Sequence, residues 1–128
     1  MSGLVLKTKG FSKKTRQLLL CVPRDTASRA PPRLIYVNPA TMELKGEIPW
    51  GPRGVVSILK TSRSWDVKAH TGRAYHLTDM MGDAARWHRA INAALEDWLV
   101  RIRRPVSGDY VHVTAADADG AEGGAQRR

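Results

Sequence analysis

A mainly β fold is what this sequence predicts: seven short strands in a partly open barrel or sandwich, capped by one C-terminal α-helix. Three observations carry that expectation. Short apolar or alternating runs fill the first 80 residues, turn-forming clusters separate them, and the apolar spacing changes to a helical period after Asp83.

The strands follow in order. Leu4 to Lys7 is the first, and Thr15 to Val22 the second, with an interior apolar on both faces. Pro23 to Pro32 holds three prolines, which neither a strand nor a helix accommodates, so it is a loop. Arg33 to Val37 is the third strand, closed by the turn dipeptide Asn38-Pro39. Glu43 to Ile48 is the fourth, stopped by Pro49 and the following Gly51-Pro52. Val55 to Leu59, Ser64 to Lys68 and Ala74 to Leu77 complete the set, the last two joined by the tight connection His70-Thr71-Gly72-Arg73. Close spacing of so many short strands fits a sandwich or barrel better than a parallel sheet.

Beyond Asp83 the apolar residues Trp87, Ile91, Leu95, Trp98 and Ile102 recur every three or four positions and form one helical face. Asp83 suits the N-cap. Arg101, Arg103 and Arg104 complement the dipole of the last turn, and Pro105 ends the helix. An open barrel leaves one end uncovered, so Trp87 and Trp98 are expected to plug it as core. Residues 1–104 are thus expected as one domain, and residues 105–128, rich in Ala, Gly and Asp, as a disordered acidic tail.

The chain's 128 residues are enough for one core. Its net charge of +9 is uneven: residues 1–104 hold 19 basic and 8 acidic side chains, whereas residues 105–128 hold 2 and 4. A basic folded part implies an anionic partner, which is nucleic acid, an anionic membrane or a phosphorylated small molecule. No apolar run reaches membrane-span length, and the start fits neither a secretory signal nor a myristoylation pattern, so a cytoplasmic protein is expected. The single Cys21 excludes an internal disulfide framework and fits a reducing compartment; ending an apolar strand, it is expected to be a small buried hydrophobe.

Enzyme signatures are absent. There is no phosphate loop with its lysine, no HExxH, no paired cysteines and no GxSxG, and His70, His76, His88 and His112 show no metal-ligand spacing. The expectation is therefore no catalysis, no metal and no cofactor.

The basic residues are more telling. Lys7 to Arg16 contains five cations and no acid, running from the end of the first strand through a loop around Gly10 into the second. Lys14 and Arg16 are two apart on a strand and share a face. Lys7 leaves the adjacent strand close by, so the three converge on a site suited to clustered phosphates. The basic residues gather in one loop with only Phe11 among them, not interleaved with aromatics, which argues against nucleic acid.

Lys7, six intervening residues, Lys14-Thr15-Arg16 and then Gln17-Leu18-Leu19 resembles the phosphoinositide motif of pleckstrin-homology (PH) domains: a lysine, a variable loop, then a basic residue, any residue, Arg, any residue and two hydrophobics. The strand-and-helix order and Trp87 also fit that family, whose fold is a capped, partly open barrel. Arg16 to Leu20, Leu34 to Pro39, and above all Leu44-Lys45-Gly46-Glu47-Ile48-Pro49-Trp50 look like the C-terminal PH domains of 3-phosphoinositide-dependent protein kinases. His70 to Leu77 and the helix from Gly82 to Leu95 align too, so the resemblance covers residues 4–103 or so. It implies that Lys7, Lys14, Arg16 and Lys45 contact inositol phosphates, that Arg73 reaches the same pocket, and that Tyr36 contributes its hydroxyl. Lys9 and Lys13 are expected as auxiliary contacts to an anionic membrane.

The partners implied are phosphatidylinositol 3,4,5-trisphosphate or 3,4-bisphosphate and soluble inositol phosphates, with peripheral location at the plasma membrane. The rival is a PH-fold protein-interaction module whose charge is incidental. There are departures from the family pattern. Lys14 stands where the family has arginine, keeping the charge without the fork. Thr15 replaces a basic residue, the Pro23–Pro32 loop is long, and the family's preceding helical extension and kinase domain are missing.

Overall fold

The computed structural model describes residues 1–104; the expected tail, 105–128, lies outside the described residues. Seven strands precede one helix: β1 (Ser2–Lys9), β2 (Ser12–Cys21), β3 (Arg33–Val37), β4 (Leu44–Ile48), β5 (Val56–Leu59), β6 (Ser64–Lys68), β7 (Ala74–Asp79) and α1 (Ala84–Arg103). They form one antiparallel sheet in the order β4-β3-β2-β1-β7-β6-β5, so β4 and β5 are its two edges.

Three strands are longer than their sequence pattern, and β7 runs on to Asp79. β1 and β2 extend toward each other through Lys9 and Ser12, which pair across the two-residue turn Gly10-Phe11. Gly10 sits first in that turn with φ +59, the position where the tightest hairpins need a left-handed residue. Polar side chains at Lys9, Ser12 and Lys13 hide this extension from a hydrophobicity reading, since the ladder is completed by backbone pairing alone.

Alternation along the strands builds the core. Val5, Leu18, Leu20, Leu34, Ile48, Trp65, Val67, Tyr75 and Leu77 share the inner face and join Trp50, Val55 and the helix residues Ala84, Trp87, Ile91, Ala94 and Trp98 in one cluster. The helix packs on β5 and β6. Trp87 stacks on Trp65 with centroids 5.8 Å apart, and Trp98 meets Trp50 edge-on at 6.4 Å. Both helix tryptophans are core, as their spacing predicts. Trp50, two residues past β4's core-facing Ile48, is buried beside them. Asp83 is the N-cap, accepting from the Arg86 amide, and its own amide donates at 2.8 Å to Oδ2 of the buried Asp79.

The helix closes a particular end. Trp87 lies against Gly3 at the start of β1, and Trp98 Nε1 donates to the Arg29 carbonyl in the β2–β3 loop at 3.1 Å. Arg101 and Arg104 donate to the carbonyls of Asp25 and Thr26. The arginines expected to serve the helix dipole therefore also tie down the proline-rich loop. Among the described residues no helix packs on the opposite end, where β1 passes into β2.

Cys21 corrects the sequence expectation: it is exposed. Leu18 and Leu20 take the inward positions of β2, so Cys21 alternates outward and pairs with Arg33 at the strand's end.

Candidate functional site

The inward face of β1 and β2 changes character along its length. Val5 and Leu18 are fully buried, while two residues further toward the open end the same alternation delivers Lys7 and Arg16, then Lys9 and Lys14. Lys7 and Lys14 are direct cross-strand partners. Like charges opposite one another destabilise a ladder, so this pair is a cost that the fold tolerates.

Around them lies a cavity of about 260 Å³ lined by Lys7, Lys9, Ser12, Lys14, Arg16, Tyr36, Lys45 and Arg73. The structure thus brings together Lys7, Lys14, Arg16, Lys45, Arg73 and Tyr36. Lys9 lines the same cavity, whereas Lys13, on the opposite alternation, pairs with Thr8 on the outer face. Ser12 was missed by sequence reasoning; its only signal is the two-residue turn, which sets it across from Lys9.

Two local features aim Lys45. By simple alternation it would share the outer face with Glu47, which pairs there with Arg33 at 2.7 Å. The register instead shifts between Tyr36 and Val37: Tyr36 pairs with Gly46 but Val37 with Leu44, leaving Lys45 as the extra residue of a β-bulge. The bulge turns Lys45 into the cavity wall. Gly46 beneath it has no side chain for a reason of space, because a Cβ there would stand 2.3 Å from the Tyr36 hydroxyl. Arg73 is carried by the β6–β7 turn, closed by Ala69 and Arg73 pairing at 2.9 Å, and its guanidinium lies 4.6 Å from the Tyr75 ring centre.

Lys7 occupies the middle of the site. Its ammonium stands 5.1 Å from the centre of the Tyr36 ring and 6.0 Å from that of Tyr75. Burial, followed by repulsion from Arg73, Lys9, Arg16 and Lys14, holds its pKa below the ordinary value of 10.5. Burial raises the pKa of Tyr36, and neighbouring Tyr75 adds to the rise, so its hydroxyl stays protonated as a donor. Among the described residues only Lys45 of the lining cations meets a carboxylate, Glu43 Oε1 at 2.8 Å. Phe11 projects fully exposed from the hairpin tip beside the mouth.

Clustered cations of which, among the described residues, only Lys45 has a carboxylate partner, held in a polar cavity by strand ends and a hairpin, are chemically matched to an anion bearing several phosphates. A barrel of seven antiparallel strands with one C-terminal helix, open at its charged end, defines the class: a PH-fold domain. The PH domain family model matches residues 1–99, and the chain belongs to that family. Its relatives include the probable serine/threonine-protein kinase pdkA of Dictyostelium discoideum, 42% identical over 73% of this chain, and human 3-phosphoinositide-dependent protein kinase 1, 39% identical over 70%. These matches span only 12% and 14% of those kinases, and the 128 residues hold no kinase domain. The C-terminal PH domain of human pleckstrin superposes with a TM-score of 0.58 over 77% of this chain and 88% of that one, at 22% identity, a likeness of fold. Among the described residues no helix is long and apolar enough to cross a membrane.

Proposed function

We propose that residues 1–104 form a phosphoinositide-binding module that brings this chain, or a protein associated with it, to an anionic membrane surface. The observation that carries this reading is the convergence of Lys7, Lys14, Arg16 and Arg73, with Lys45 on the bulge, around one cavity in which carboxylates are almost lacking. The phosphates of the inositol ring accept charge-assisted hydrogen bonds from these side chains, each contributing about 1.5–3 kcal/mol. Arg16 offers a planar fork for two oxygens of one phosphate, which the lysines do not. The likeness to 3-phosphoinositide-dependent kinases favours 3-phosphorylated headgroups, phosphatidylinositol 3,4,5-trisphosphate or 3,4-bisphosphate, and the polar cavity suits soluble inositol phosphates equally. Lys13, facing away from the cavity, and Lys9 at its rim add general attraction to the acidic cytoplasmic leaflet of the plasma membrane, about 1 kcal/mol each close to the surface.

Calorimetric titration with inositol 1,3,4,5-tetrakisphosphate tests the reading. Micromolar or tighter binding is expected, weakened by about tenfold or more in Arg16→Ala. Lys13→Ala is expected to leave that titration unchanged and to lower only sedimentation with mixed acidic liposomes. A folded domain that ignores the tetrakisphosphate would instead be a protein-interaction module of the same fold.

A further inference from the structure

β5 is an edge of the sheet, and among the described residues only β6 pairs with it. The Lys60 amide donates to the Ser64 carbonyl at 3.0 Å, so by antiparallel alternation Val56 and Ile58 make the other bonds to β6. The N–H and C=O groups of Ser57 and Leu59 therefore point off the edge. The side chains here are apolar and uncovered too: Val56, Ile58 and Leu59 are 58%, 40% and 44% exposed. Leu59 stands opposite the fully buried Trp65, on the inward side of the sheet, so its exposure marks a gap between the edge and α1. A bare apolar edge is a template for one more strand.

α1 roofs that gap and runs antiparallel to β5. The Ala84 amide donates to the Ser62 carbonyl beyond the end of β5, His88 Nδ1 meets Ser57 Oγ at 2.8 Å, and Leu95 lies against Gly54 ahead of the start of β5. His88, Asn92, Leu95 and Leu99 form a half-buried stripe beside the core-facing residues of the helix. A strand laid on β5 therefore meets Leu95 at its entry and His88 and Asn92 further on, with Val56 and Ile58 beside its other face. A second copy of this fold does not fit there, because its own α1 would compete for the space over the joined edges.

One segment of this chain outside the described residues has the matching pattern. Tyr110-Val111-His112-Val113-Thr114 is a run of strand-forming residues that alternates valine with polar-tipped side chains, and beyond it the sequence holds no apolar residue larger than alanine. Its distance along the chain also suits. Arg104 lies about 14 Å past Leu95 along the helix direction, whereas the peptide steps from Arg104 to Tyr110 span about 20 Å, enough to turn back at Pro105 and drop to the edge. We propose that Val111 to Thr114 add to β5 as an eighth strand, parallel to it, with Val111 beside Val56, His112 beside Ser57 and Val113 beside Ile58. The two valines then cover the exposed outer face, Tyr110 packs on Leu95, and His112 joins His88 and Asn92 beneath the helix. Docked in this way, the segment closes the edge to strands from other chains.

Amide hydrogen exchange by NMR on the full 128-residue chain tests this, with no inositol phosphate present. The Ser57 and Leu59 amides should exchange about tenfold or more slowly in the parent than in the double variant Val111→Asp/Val113→Asp, which removes the docking valines. The Val56 and Ile58 amides, bonded to β6, should exchange alike in both and so report an intact fold. Ala115→Asp/Ala116→Asp adds the same two charges just past the strand and should leave Ser57 and Leu59 protected. Nuclear Overhauser contacts from Val111 to Val56 and from Val113 to Ile58 are expected within single molecules, which a sample mixing isotope-labelled and unlabelled chains establishes. Equal exchange of Ser57 and Leu59 in the parent and the valine variant overturns the eighth strand, as does equal loss of protection in both double variants. Contacts in the reverse order, or found only between molecules, overturn its parallel course along its own β5.

Discussion

The two ends of the barrel share the same strands and the same inward face, yet they are built on opposite principles. At the capped end Trp65 and Trp87 stack, Trp50 and Trp98 meet edge-on, and α1 removes the whole cluster from water. At the open end the inward positions of β1 and β2 are lysine and arginine, set side by side with almost no acid to neutralise them. One end spends its residues on burial, which drives folding. The other accumulates repulsion, which folding must overcome and a polyanion relieves. The proposed binding site thus lies where it weakens the fold, and the tryptophan end supplies the stability that permits it.

The largest expected effect breaks the capped end. Trp87→Ala removes a fully buried ring from the stack on Trp65 and is expected to lower unfolding free energy by about 3–5 kcal/mol, read as a shifted urea midpoint. Arg16→Ala, at the open end, should leave that midpoint unchanged or raised while headgroup binding weakens by about tenfold or more. A joint fall in both properties would contradict the division between the ends.

Gly46→Ala probes the join between backbone and site. Its methyl would overlap the Tyr36 ring, so the ring or the bulge must move, at an expected cost of about 1–3 kcal/mol together with weaker headgroup binding. Retained affinity would mean that neither Tyr36 nor the bulged Lys45 needs its present position.

Lys7 predicts a pH dependence in which stability and binding move in opposite directions. Its folded pKa lies below 10.5, for burial and then for four neighbouring cations. Below that folded value Lys7 is charged in both states, and its penalty on the fold is constant. Between the folded value and 10.5 the unfolded chain binds more protons, so Lys7's contribution to stability rises with pH. Over the same window the ammonium is lost from the cavity and affinity for inositol phosphate falls. Alkaline titrations of melting and of binding, with Lys7→Met as control, should show both trends in the parent and neither step in the variant.

The smallest effect concerns Glu43. Its carboxylate, held below the usual pKa by its hydrogen bond to Lys45, occupies the ammonium that a phosphate would use. An exposed ion pair is weak because water screens it, so Glu43→Gln should tighten tetrakisphosphate binding by no more than about fivefold. No change would show that the ligand accommodates the pair without displacing it.

Much of this was legible in the residues. Period-two runs, proline and glycine stops and the 3.6-residue spacing after Asp83 determine the seven strands, the helix and its N-cap, because those patterns follow from backbone geometry alone. The spacing of Lys14 and Arg16 likewise puts both on one face of any strand they form. Cys21 was misjudged because a run apolar on both sides conceals which residue faces in, and only the pairing with β3 resolves it.

Other features required the assembled sheet. The bulge that turns Lys45 inward is a register shift between two strands, and no local preference of Leu44-Lys45-Gly46 encodes it. Arg73 joins Lys7 because β7 pairs beside β1, although 66 positions separate them in sequence. The depressed Lys7 pKa arises from the same packing. A sequence determines which face each residue takes within its own strand; which strands stand side by side, and therefore which charges share one cavity, is decided by burying the tryptophan core at the other end.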